Sequence, residues 1–195
     1  MRQFRVHYCH QGSRCSGRKE ENKMYKRSYL GLEEAKGAVE AMIKECKKAN
    51  YWPYGCFAIV DQNGDLVYFA RMDGAGKQGV TMAIRKAYTA ALWGKSTKAF
   101  NSMIDAKKYR RSASNYGPEY TTILGGVAII EPAGKEKTFA TPFCLGGIGT
   151  ATTGPGELDE AVAKIGLRYI EKKLWPESAD KVPAVEVAEE KAGGA

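Results

Sequence analysis

GCFAIVDQNGDLVYFARMDGAGKQGVTMAIRKAYTAA, residues 55–91, decides the fold. Two apolar runs, Cys56-Phe57-Ala58-Ile59-Val60 and Leu66-Val67-Tyr68-Phe69, flank Gln62-Asn63-Gly64-Asp65. Asn-Gly tolerates the positive φ angles that a tight antiparallel turn demands, so the spacing predicts a β-hairpin. A glycine-rich corner carrying Arg71-Met72-Asp73 follows. From about Gln78 to Trp93, Val80, Ala83, Ile84, Ala87 and Ala91 return at helical spacing. Lys86 and Thr89 share one face of that helix, because residues separated by three positions are neighbours on a helical surface.

Upstream, Leu32, Ala35, Val39, Met42, Cys46 and Ala49 mark another helical face, ended by Asn50 and Pro53. Phe4, Val6 and Tyr8 alternate with polar residues and predict a short strand at the amino end, before a polar loop to about residue 27. Downstream, a helix is expected over about Thr97 to Tyr109, then an aperiodic loop over 112–122. Strands are expected over Val127 to Ile130 and Thr138 to Leu145, around Pro132-Ala133-Gly134, and Gly146 to Gly156 reads as a flexible corner. The last helix runs from about Leu158 to Leu174, with Ala161, Val162, Ile165, Tyr169 and Ile170 on its inner face, and Pro176 stops it. This order breaks the strict βαβ alternation of a parallel sheet and argues for an α+β fold with an antiparallel sheet.

The chain divides into an arm (residues 1–29), one domain (30–175) and a Pro/Ala/Glu-rich tail (176–195). Its 195 residues and 44% hydrophobic content suffice for a single core. The net charge of +8 is uneven: +6 in the arm, +5 in the domain and −3 in the tail. A basic arm can meet an anionic ligand, nucleic acid or an acidic neighbouring subunit. No nucleic-acid module accompanies it, which disfavours that partner. The sequence lacks an apolar run of about 18 residues, so no membrane span is expected. The amino terminus lacks an apolar signal region, and five scattered cysteines fit reduced thiols, so a cytoplasmic location is expected.

A second block, GGIGTATTGPGELDEAVAKIGLRYI at residues 146–170, pairs with the first. In this order the two blocks resemble the GlcG/HbpS family of small oligomeric heme-binding proteins, to which the carboxy-terminal domain of PduO-type corrinoid adenosyltransferases is related. The resemblance covers roughly Leu30 to Leu174. It implies a central antiparallel sheet of about five strands with helices on both faces, a sandwich similar to profilin and PAS domains. Heme as cofactor and a homo-oligomeric state are implied likewise. The arm and the segment GGVAIIEPAGKEKTFATPFC are longer than the family pattern requires.

Arg71, Asp73, Lys86 and Thr89 are the candidate ligand-binding residues. Arg71 suits a carboxylate held bidentately, with Asp73 orienting it or accepting a proton; the structural alternative has Asp73 capping the helix and Arg71 in a surface ion pair. Lys86 and Thr89 offer a cation and a hydroxyl to an anion, against a solvated-face alternative; the resemblance favours the ligand reading. The glycines of residues 146–156 are read as tight packing or a subunit contact, since Glu157, Asp159 and Glu160 at the following helix start repel phosphate. His7 and His10, with Cys9 and Cys15, are candidate metal ligands, and either imidazole can ligate heme iron. Cys46, Cys56 and Cys144 are expected to be inert packing residues.

The leading expectation is a soluble oligomeric protein that binds heme or a similar anionic, partly apolar small ligand. One alternative is a lyase- or isomerase-type enzyme acting on a small carboxylated or aromatic metabolite at the Arg71/Asp73/Lys86 corner. Another is an accessory subunit held to a partner through arm or tail.

Overall fold

The computed structural model describes residues 28–48, 54–105, 116–132 and 143–179. The expected amino-terminal strand, His7, His10 and most of the tail lie outside these residues. The elements are α1 (Leu32–Lys48), β1 (Gly55–Asp61), β2 (Leu66–Arg71), α2 (Lys77–Trp93), α3 (Thr97–Asp105), β3 (Gly126–Ile130), β4 (Cys144–Thr152), α4 (Gly156–Leu174) and α5 (Pro176–Ala179). The strands form an antiparallel sheet in the order β2-β1-β4-β3. The α+β antiparallel expectation holds, with four strands among the described residues rather than about five.

β1 is central, and its alternation assigns a helix layer to each face. Phe57 and Ile59 join Ile148, Val127 and Ile129 in a core closed by α1 and α4. Cys56, Ala58 and Val60 point the other way, against Ala83, Ala87 and Ala91 of α2. Burying a side chain of the size of Phe57 contributes about 2–3 kcal/mol. The hairpin turn is closed by Asp61, whose Oδ1 accepts the amides of Asn63 at 2.8 Å and Asp65 at 3.0 Å. Gly64 there has φ +88°, as the Asn-Gly reading requires.

The main departure concerns residues 146–156. Most of the run read as a flexible corner belongs to the second central strand, β4, paired with β1 from Gly146 to Thr152 and with β3 through Gly149, which leaves only residues 153–155 as the corner before α4. Glycine weakens an isolated strand but also marks close backbone approach. Here the approach is that of α2: a Cβ on Gly147 would collide with Ala87 O, and one on Gly149 with Ala83 O. The packing reading of these glycines thus identifies their role, whereas their flexible-corner reading fails. α3 ends at Asp105 among the described residues, and Pro176 opens the one-turn α5 after stopping α4. Proline suits a first helical position, where its missing N–H has no partner to lose.

Candidate functional site

The four candidate residues fall into two groups on one helix layer. Arg71 and Asp73 are exposed at the β2–α2 corner; Lys86 and Thr89 are buried farther along α2. Lys86 is 2% exposed. Its Nζ meets Asp159 Oδ2 at 2.6 Å and donates to Thr150 O at 2.8 Å. Asp159 stands in the first turn of α4, and its Oδ1 accepts the amide and the hydroxyl of Thr152 at 2.8 Å and 2.7 Å. Burial pushes the Asp159 carboxyl above its ordinary value, while the Lys86 ammonium and the Thr152 donors pull it back. With a cation at 2.6 Å and two further donors on the carboxylate, the arrangement is that of a buried, hydrogen-bonded ion pair.

This pair joins helices on opposite faces of the sheet, and two glycines make room for it. Gly125 has φ +115°, and a Cβ there would stand 2.9 Å from Lys86 Nζ and 2.5 Å from Asp159 Cβ. On Gly126 a Cβ would strike Lys86 O. The Thr89 hydroxyl accepts the Thr121 amide at 2.9 Å, and the Thr97 hydroxyl accepts the Gly126 amide at 3.0 Å. Lys86 and Thr89 therefore fix the frame around the segment leading into β3. Next to this segment Tyr88, Trp93, Phe100, Tyr116 and Tyr120 form a chain of ring contacts with centroids 4.9–6.0 Å apart, which holds α3 to α2.

At the other group, Arg71 Nε donates to Ala75 O at 2.9 Å, and Nη2 donates to the same oxygen. This folds the guanidinium across the corner just before α2. Gly76 is the N-cap of α2, no side chain caps the helix, and its first turn contains no acid. Asp73 therefore does not cap it. Lys77, exposed, is the first helical residue. Tyr54, 43% exposed, lies over Gly74, where a Cβ would sit 2.5 Å from its ring. Uncapped helix amides, two cations and an aromatic ring thus share one surface corner with the acid Asp73, a combination suited to an anion attached to an apolar body. The sequence reading placed Arg71 here but missed Lys77 and Tyr54. Lys77 follows Gly76 directly, so the helix start itself was the signal.

The three cysteines among the described residues are free, and burial raises each thiol. Cys46 is pushed to about 11 by burial first and then by the charges of Asp159 and Glu45. That agrees with inert packing roles. No group of three metal-ligating side chains occurs among the described residues.

Residues 30–168 match the family described as "Haem degrading protein HbpS-like". The chain belongs to this family. A double mutant of Streptomyces reticuli HbpS has 26% identity and TM-score 0.60, with 80% of this chain and 97% of that chain covered. Klebsiella pneumoniae protein ORFY is similar at 20% identity and TM-score 0.64, covering 77% and 97%. A PduOC:heme complex is similar at 18% identity and TM-score 0.61, covering 73% and 95%. The last two likenesses show the fold alone. Among curated proteins none matches the chain significantly. No helix among the described residues is long and apolar enough to cross a membrane.

Proposed function

We propose that this HbpS-like chain is a soluble, oligomeric binding protein for heme or a similar anionic, partly apolar small ligand, gripped at the β2–α2 corner. The observation that carries the reading is the uncapped, acid-free start of α2 flanked by Arg71 and Lys77. A porphyrin's propionates match this donor set: carboxylates favour helix amides and guanidinium forks, and the Tyr54 ring offers an apolar surface beside them. Family membership and the heme bound by a protein of the same fold support the choice of ligand. Heme would supply an iron centre, which His7 or His10 would ligate. Lys86 and Thr89 serve the site from behind, by fixing α2 and the segment ahead of β3. Asp73 is exposed at the same corner and makes no hydrogen bond among the described residues.

Heme titration followed by gel filtration tests this. A Soret band should co-elute with the protein, and Arg71→Ala with Lys77→Ala should weaken binding about tenfold or more, the loss of charge-assisted contacts. A colourless eluate, or a double variant that binds as tightly as the parent, would overturn the assignment.

A further inference from the structure

A shallow depression of about 490 Å³ lies on the outer side of α1, lined by Glu40, Ile43, Lys44, Lys47 and Lys48. Its floor is aliphatic and its rim carries three cations against one acid. Glu45 engages Lys48 at 3.2 Å; among the described residues no carboxylate pairs with Lys44 or Lys47. We infer that the acidic segment Val185–Glu190 of this same chain docks here, Glu186, Glu189 and Glu190 meeting Lys44, Lys47 and Lys48.

Reach and direction support that occupant. α1 and α4 run antiparallel: Gly37 lies against Tyr169, and a Cβ on Gly166 would stand 2.9 Å from Met42 Sδ. The carboxy end of α4 is consequently beside the start of α1, where Leu174 and Trp175 pack on the core that includes Leu30. From Glu33 to Lys47 the helix rises about 21 Å. An extended chain from Asp180 to Glu186 covers about 23 Å. A tail turning back along α1 therefore brings its acidic run to the lysines rather than past them. Residues 180–195 hold Asp180, Glu186, Glu189 and Glu190 against Lys181 and Lys191. Val185 and Val187 supply aliphatic contacts for Ile43. Attachment to the same chain gives the segment a high local concentration, so modest pairing suffices.

The test uses the full chain and a full-length variant with Glu186→Gln, Glu189→Gln and Glu190→Gln. Lysine acylation is followed site by site by mass spectrometry at low and high salt. At low salt Lys44 and Lys47 should react roughly threefold faster in the variant, because exposed ion pairs give small, salt-screened protection. Lys98 on α3 should be unchanged, and high salt should erase the difference. Equal Lys44 and Lys47 rates in both proteins at low salt overturn the docking. Protection that grows with protein concentration overturns it also, since a second copy's tail would then be the occupant.

Discussion

Lys86→Met retains most of the Lys86 stem and removes only its ammonium, leaving Asp159, 4% exposed, without a cation. Removing one member of a buried pair costs about 3–5 kcal/mol, because the remaining charge is desolvated and unpaired. For a chain of this length each kcal/mol lowers Tm by about 2–4 °C, so a fall of roughly 6–20 °C is expected. Asp159→Asn leaves the ammonium facing an amide and should also destabilise. In the double variant both charges are gone and the side-chain amide oxygen introduced by Asp159→Asn retains the two Thr152 donors, so the losses should be strongly non-additive, with coupling of about 2 kcal/mol. pH gives a further signature. Without Lys86 the carboxyl of Asp159 rises further above its unfolded value. Folding then takes up a proton, so the defect is largest at neutral pH and shrinks as pH falls. Urea unfolding and calorimetry across pH measure all of this. A single variant within about 1 kcal/mol of the parent, or an additive cycle, would refute the framework role. So would a parent-like stability accompanied by lost ligand, which would return Lys86 to the ligand itself.

Gly149→Ala drives a methyl into the α2 backbone at Ala83 and Ala87. Overpacking costs typically 1–3 kcal/mol, and more where the neighbour is backbone, so little folded protein is expected by circular dichroism. Cys46 should resist alkylation in the folded protein at pH 8 and react on unfolding, as peptide mapping will show. Its folded value of about 11 lies above the ordinary 9.0. Its stabilisation is therefore complete below about pH 9 and is lost as pH rises through 11; Cys46→Ala should flatten the stability profile across that window.

The hairpin and the helices were legible because their signals are local. Asn63-Gly64 specifies its own turn, and the apolar positions of α1, α2 and α4 repeat within one element. β4 was not legible: Gly146, Gly147 and Gly149 depress strand propensity, and what requires Gly147 and Gly149 is the α2 backbone, some 60 residues earlier, while Gly146 lies against Val60 O of β1. Lys86 looked like a ligand-facing cation for a similar reason. Its partner Asp159 lies 73 residues away, at a helix start where an acid already has a sufficient local explanation. Arg71 was placed at a corner by its glycines. Its bonds to Ala75 O, however, depend on how the chain folds there, which residue order does not specify.

The two faces of the sheet differ in what they bring to stability. Against α1 and α4 the sheet buries large apolar side chains such as Met42, Ile148 and Ile170; against α2 it meets mostly alanine and glycine. Alanine and glycine surrender no side-chain freedom on packing and hide little apolar area, so that face carries little of the heat-capacity change of unfolding. Hydrophobic attachment weakens on cooling, whereas close backbone fit does not follow that dependence. Near the freezing point the α1/α4 layer should therefore loosen before α2 does. The order in which amide protection is lost on cooling would then trace the seam between a face held by burial and a face held by fit.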